Sequence, residues 1–166
     1  MPEAIDIIGS PLGDMVACSR GGLLTRVRWR WDEVAEPIGS AAVLDDTADQ
    51  LAAYWASELY EFDLPIDWSL VSGFARDVLQ ATLQVPFGRT ATYGGIAEAI
   101  GRHGEARAVG GALRDNPWAV VVPCHRIVAA DGALTGYAGG PTTGGHLDIK
   151  QALIDHERQR FEPRLF

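Results

Sequence analysis

Cysteine is scarce in this chain. Of 166 residues only Cys18 and Cys124 carry a thiol, too few and too far apart for a disulfide framework, which excludes the disulfide-scaffold class. Lysine is scarcer still, with 13 of the 14 cations arginine and one lysine. Long apolar runs are missing: the longest covers residues 118–123, whereas a bilayer-spanning helix takes about 20. The opening Met1-Pro2-Glu3 has neither the basic nor the apolar region of a secretory signal, so a reducing cytoplasm is the expected compartment. Metal-ligand spacing is absent too. There is no Cys-x-x-Cys or His-x-x-x-His, and His103, His146 and His156 form no set with either cysteine, so no metal is expected. Gly94-Gly95 and the glycines of 136–145 match neither phosphate-loop nor dinucleotide fingerprints.

What is present describes a globular protein. Apolar residues make up 47% and charged residues 22%, and a chain of this length buries roughly 70% of its unfolded surface. A formal charge of −8 and a pI near 4.9 argue, taken alone, against nucleic acid. The charge is unevenly placed. Residues 1–73 hold 13 acids and four arginines, a net of −9, while residues 74–166 hold nine acids and ten basic residues, a net of +1. Arginine forks suit phosphates and base edges, although genome base composition also raises arginine content.

The first third reads as strands and turns followed by a helix. Ser10-Pro11-Leu12-Gly13-Asp14 and Gly21-Gly22 are turn signals that bracket one strand and precede another over 23–31. In the latter, Val27, Trp29 and Trp31 alternate with Arg26, Arg28 and Arg30, the period of a half-buried strand. Its three arginines fit a nucleic-acid surface, and they equally fit a solvated face. From Asp46-Thr47, a plausible N-cap, Ala48, Leu51, Trp55 and Leu59 recur at helical spacing. Residues 64–73 lack periodicity and mark a boundary near residue 70, giving an N-terminal subdomain over 1–70 and a C-terminal one over 71–166.

Beyond it the pattern turns helical. Phe74, Val78, Leu79 and Leu83 share a face that Val85-Pro86-Phe87-Gly88 ends; Thr92 can cap a second helix with Ile96, Ala97 and Ile100 inward. A glycine-containing break leads to a third helix over 105–114, stopped by Asn116-Pro117. Two short helices about a glycine turn suggest a helix-turn-helix, though bundles contain such pairs too. Residues 149–158 read as a last amphipathic helix, with Ile149, Leu153 and His156 on one side. A long loop over 132–145 carries Tyr137, and loops of that length are often functional.

The apolar, β-branched segment 118–123 should be buried, and it delivers Pro123-Cys124-His125-Arg126 at its end. A thiol beside cationic neighbours can be drawn toward its thiolate, the nucleophilic form. The plain alternative is a small buried hydrophobe that precedes a histidine. Neighbouring residues of a strand face opposite ways, so contact between Cys124 and His125 would need a turn or a bridging water. Cys18, inside a strand, fits an inert core position.

Val122-Pro123-Cys124-His125-Arg126-Ile127-Val128 resembles the active-site signature of the O6-alkylguanine-DNA alkyltransferases, suicidal repair proteins that move an alkyl group from guanine to their own cysteine. Val85-Pro86-Phe87-Gly88, Thr92-Tyr93-Gly94, Ala106-Arg107-Ala108-Val109-Gly110-Gly111-Ala112, Asn116-Pro117, Gly136-Tyr137-Ala138-Gly139-Gly140, Lys150 and His156-Glu157 follow in the family's order. The similarity is strong over residues 74–157 and weaker before them, where Ser10-Pro11-Leu12-Gly13 and Gly22-Leu23 resemble the family's opening. It implies an α/β N-terminal subdomain with a ribonuclease-H-like sheet and a mainly helical C-terminal subdomain with a helix-turn-helix. Cys124 would be the acceptor, His125 its base through a water, and Glu157 the group orienting the imidazole. Asn116 would brace the recognition helix against the active-site segment. Arg107 would fill the gap left by the flipped guanine, with Ala106, Gly110 and Arg114 also against DNA. Tyr93 would press on the backbone and then protonate the departing oxygen. Ile127, Tyr137 and Ala138 would line the base pocket beside Cys124. The implied partner is double-stranded DNA containing O6-alkylguanine, engaged by a monomer without cofactor or membrane. The rival readings are a lesion-binding relative without transfer, which would lack the cysteine, and a Cys-His thiol enzyme, which would leave Arg107, Tyr93 and Asn116-Pro117 unexplained.

Three positions depart from the family pattern. Ala138 stands where many members have serine, residues 141–149 make a longer connection than usual, and Asp115 adds an anion beside the DNA-facing helix. With few phosphates neutralised, weak nonspecific affinity and a modest salt slope are expected.

Overall fold

A computed structural model describes residues 4–31, 35–137 and 145–159. Backbone contacts divide the chain into two units: Met1–Leu70 with Pro117–Val121, and Val71–Asn116 with Val122–Phe166. The first is an α/β unit and the second is mainly helical.

In the first unit β1 (Ala4–Ile8), β2 (Met15–Arg20) and β3 (Leu23–Trp29) form an antiparallel sheet in the order β1-β2-β3. The two strands expected from the turn signals are there, and β1 is an addition. Central β2 is buried along Met15–Ser19, so it reads as a continuous apolar run rather than an alternation. On β3 the register shifts between Cys18 and Ser19, which pair with Arg26 and Leu24 and leave Thr25 as the extra residue. The Thr25 hydroxyl donates to the Cys18 carbonyl at 3.0 Å. This bulge moves the inward set from Leu24 to Val27 and Trp29, all buried, while Arg28 is exposed. Cys18 is buried against Val16, Ala35, Ile5 and Ile7, an apolar setting.

Pro117–Val121, expected within the second subdomain, belongs to the first unit. Its backbone pairs with β3 in a parallel bridge between Trp118 and Val27: the Val27 amide donates to the Pro117 carbonyl at 2.9 Å, and the Ala119 amide donates to the Val27 carbonyl at 2.9 Å. Trp118 is fully buried, donates its indole N–H to the Leu24 carbonyl at 3.0 Å and lies 5.3 Å from the Trp68 ring. Val120 holds φ at +69°, an outlier for a β-branched residue, in the turn that leads on to Val122.

Helix α1 spans Ala42–Trp55, so it begins earlier than Asp46-Thr47. Thr47 is no N-cap. Its buried hydroxyl donates to the Val43 carbonyl at 2.6 Å inside the helix, and the inward stripe is Val43, Leu44, Thr47, Leu51 and Tyr54. Leu59 lies beyond the helix, because Ser57 adopts φ +58° and the Glu58 and Leu59 amides both fold back to Ala53.

The second unit contains α2 (Gly73–Thr82), α3 (Tyr93–Ala99), α4 (Ala106–Arg114) and α5 (Gly145–Arg158). Thr92 caps α3 as expected, its hydroxyl accepting from the Gly95 amide at 3.0 Å. Between α3 and α4, Gly101 and Gly104 take φ of +73° and +79°, conformations that favour glycine. Arg102 grips the two Glu105 carboxylate oxygens at 3.0 Å each and closes that turn. Val109 and Leu113 are buried on α4, which packs on α2 and α3. A short parallel pair, β4 (Ala91–Thr92) with β5 (Ile127–Val128), joins the start of α3 to the segment that follows Cys124. No described helix is long and apolar enough to cross a membrane.

Trp118→Ala is expected to destabilise the protein by about 3–5 kcal/mol, against about 1 kcal/mol for loss of the Thr92 cap in Thr92→Ala. Urea unfolding compares the two, and equal losses would refute Trp118 as a core anchor.

Candidate active site

The site lies within the second unit. After Pro123 the chain makes one 3-10 turn, Cys124–Arg126, and enters β5. Successive residues of such a turn point about 120° apart, so Cys124 and His125 take different partners despite their adjacency. All three side chains are buried.

His125 and Arg126 both turn to Glu157 on α5. The imidazole Nε2 lies 2.6 Å from Glu157 Oε1. Arg126 donates from Nε to Oε2 at 2.9 Å and from Nη2 to Oε1 at 3.0 Å, and its Nη1 donates to the Val85 carbonyl at 2.7 Å. The Gly88 amide adds a bond to Oε2 at 3.1 Å. Burial pushes the Glu157 carboxyl up, but His125 first and then the Arg126 guanidinium outweigh it and hold the group far below the usual carboxylate range. Burial pushes His125 down, beyond what Glu157 restores, with Arg126 and Lys150 adding to the fall. The resting pair is therefore a neutral imidazole against a carboxylate. An anion can only accept, so the proton sits on Nε2 and the lone pair on Nδ1, which is buried and has no hydrogen-bond partner.

Cys124 has another set of neighbours. Burial raises its thiol pKa, opposed by a hydrogen bond from Asn116, the Lys150 charge and the amides of Cys124 and His125. The expectation that adjacent His125 and Arg126 would draw the thiol toward thiolate is thus corrected, since both are committed to Glu157 and the cation acting on sulfur is Lys150. Asn116, itself buried, donates from Nδ2 to the Val122 carbonyl at 2.9 Å and so ties the end of α4 to the cysteine turn.

Lys150 was noted in the sequence pattern without a role at the site. Its signal was its singularity, as the one lysine of the chain. It is buried on α5 and donates to the carbonyls of Ile127 at 2.7 Å and Gly136 at 3.2 Å and to the Tyr93 hydroxyl at 3.4 Å. Thr135 also donates to that hydroxyl, at 3.1 Å. Tyr93 opens α3, its ring in contact range of Gly110 on α4. The structure thus brings together Cys124, His125, Glu157, Asn116, Ile127 and Tyr93, with buried Tyr137 next to Gly136. Arg107 and Arg114 are exposed on α4, and Ala106 and Gly110 are half-buried. Ala138 lies outside the described residues. Among those described, no group of three or more His, Cys, Asp or Glu could hold a metal.

Residues 73–159 match the family model for the DNA-binding domain of 6-O-methylguanine DNA methyltransferase, and the methylated-DNA--protein-cysteine methyltransferase of Mycobacterium tuberculosis is 41% identical over 158 residues, 92% of this chain and 91% of its own. The chain belongs to the O6-methylguanine-DNA methyltransferase family. A Methanosarcina barkeri methyltransferase of the same name is 38% identical over 92% of this chain and 95% of its own length. Among solved structures, the M. tuberculosis O6-methylguanine methyltransferase aligns with a TM-score of 0.81 at 39% identity, covering 96% of this chain and 94% of that one. The M. tuberculosis OGT in complex with DNA aligns with a TM-score of 0.79 at 39% identity, covering 93% and 92%.

Acid should weaken this methyltransferase fold in two stages. His125 has a depressed folded pKa, so below about pH 6.5 the unfolded chain binds a proton that the folded one refuses and stability falls with pH; Glu157 does the same below about pH 4.5. Each proton contributes a slope of at most about 1.4 kcal/mol per pH unit. Denaturant titrations between pH 7 and 5 should show this slope in the native chain and lose it in His125→Gln.

Proposed function

We propose that this chain repairs O6-alkylguanine in double-stranded DNA by transferring the alkyl group to its own Cys124, once per molecule. The observation that carries this reading is a buried cysteine, in a turn that Asn116 ties to the end of α4, followed by a histidine whose imidazole is held by a buried carboxylate. His125 takes the thiol proton onto Nδ1 through a water. The sulfur attacks the alkyl carbon in line, an S–C bond forms, and the C–O bond breaks with its electron pair going to guanine O6. Tyr93 supplies the proton that O6 takes up, and Lys150 and Thr135 hold its hydroxyl in place. A thioether is a poor leaving group, so the alkyl stays on sulfur.

The target oxygen is out of reach inside a duplex, and the nucleotide is flipped at a cost of a few kcal/mol. We assign α3 and α4 as a helix-turn-helix with α4 against DNA. Arg107, exposed on α4, enters the stack; Ala106 and Gly110 allow close approach and Arg114 contacts the backbone. The flipped base rests against Cys124, Ile127, Tyr137 and Ala138. The chain acts as a monomer of two subdomains, an N-terminal one with a ribonuclease-H-like sheet that also takes in residues 117–121, and a C-terminal one for DNA binding and transfer. It works without a cofactor in the cytoplasm, where a reducing environment preserves the thiol.

Intact-protein mass spectrometry after mixing with a duplex bearing O6-methylguanine should show one added methyl, mapped to Cys124 and absent in Cys124→Ser. Unmodified protein bound to the lesion would instead indicate a sensor without transfer. Arg107→Ala should slow repair of the duplex on the order of tenfold or more while leaving reaction with a free O6-alkylguanine base nearly unchanged. Equal losses on both substrates would overturn the role of Arg107 in the stack.

A further inference from the structure

We infer that Arg126 is a positioning residue that sets the tautomer of His125, by keeping Glu157 a carboxylate and hence an acceptor. The inference rests on His125 being the base for Cys124. Glu157 is 1% exposed, and a carboxyl so enclosed ionises only beside a compensating charge. The charged and titratable groups acting on the His125–Glu157 pair are Arg126 from the same turn and Lys150 from α5. Lys150 spends its hydrogen bonds on Ile127, Gly136 and Tyr93, whereas Arg126 makes a bidentate pair with Glu157.

Without that guanidinium the buried carboxyl takes up a proton. A protonated carboxyl becomes a donor, and the imidazole atom in its reach is Nε2, 2.6 Å from Oε1. Accepting there moves the imidazole proton to Nδ1. Nδ1 is the nitrogen left without a partner in the native arrangement, so its lone pair, needed for the thiol proton, is lost. Arg126 therefore touches neither sulfur nor substrate, yet decides which imidazole nitrogen is basic. Its Nη1 bond to the Val85 carbonyl holds the guanidinium in place.

The test compares the full chain with Arg126→Met and Arg126→Lys. Long-range 15N–1H NMR reads the His125 tautomer, and peptide mass spectrometry reads the rate at which iodoacetamide labels Cys124, a reaction that needs no DNA. The native protein should carry its proton on Nε2. Arg126→Met should carry it on Nδ1 and label more slowly on the order of 100-fold, the usual scale of a lost general base. Arg126→Lys should restore both near neutral pH and lose both on the alkaline side, where a buried ammonium sheds its proton and a guanidinium does not. Should Arg126→Met fail to fold, the alkaline loss in Arg126→Lys decides alone. An Nε2 proton that persists in Arg126→Met, or an Arg126→Lys profile that matches the native one at every pH, would overturn the inference. Methyl transfer from an O6-methylguanine duplex to the native chain is scored separately, so a failure there counts against the repair reading and leaves the tautomer result standing.

Discussion

A carboxylate removed from water organises the second unit. Ionising a fully enclosed carboxyl costs several kcal/mol, and Glu157 recovers this through donors that include His125 Nε2, Arg126 Nε and Nη2, and the Gly88 amide. These donors come from the loop after α2 and from the cysteine turn, while the acceptor comes from α5. Three segments distant in sequence are thus locked by one anion, and Arg126 adds the Val85 carbonyl to the lock. Apolar packing around Phe87 and Leu153 could hold the same segments together. It would not specify which imidazole nitrogen bears the proton, and the chemistry of the site turns on that choice.

The same geometry divides labour between adjacent residues. Because the 3-10 turn sends Cys124 and His125 in different directions, the strongly charged network stays around His125, while the sulfur feels Asn116, two amides and the Lys150 charge. A thiol in that setting remains protonated at rest. For a protein that reacts once, a free thiolate would be wasted on any passing electrophile. On the proposed reading, deprotonation deferred until His125 and the flipped nucleotide are both in place would spare the acceptor for its substrate.

Much of this was legible in the chain, and the failures have identifiable causes. Thr92, the stop at Val85-Pro86-Phe87-Gly88 and the buried run 118–123 announce themselves through local chemistry, and the helices that follow obey a 3.6-residue period. The start of α1 was misplaced because Thr47 looks like a cap, yet its hydroxyl is satisfied four residues back inside the helix. β1 carries Asp6 among isoleucines and gave no clean alternation. The pairing of Pro117–Val121 with β3 is a long-range backbone event that no local pattern encodes. At the site, Cys124, His125 and Glu157 were visible as family residues, but Arg126 read as a neighbour of the thiol. Only the turn geometry reveals that its charge belongs to Glu157.

Net charge of −8 stops being an objection to DNA once it is apportioned. Electrostatic affinity for a duplex scales with the phosphates that a protein neutralises, and the exposed face of α4 offers Arg107 and Arg114, with Asp115 subtracting from them. Undamaged DNA therefore gives this surface little to hold. On the proposed reading a lesion adds what backbone contact cannot: a base that leaves the stack at lower cost and that would rest against Ile127, Tyr137 and the thiol. Discrimination would then fall to the flipped state, with Arg107 replacing the lost stacking and His125, already held by Glu157, receiving the thiol proton. Weak general binding, as this charge distribution predicts, and a preorganised interior would serve one end, because a protein spent by a single reaction gains more from leaving intact DNA quickly than from holding it tightly.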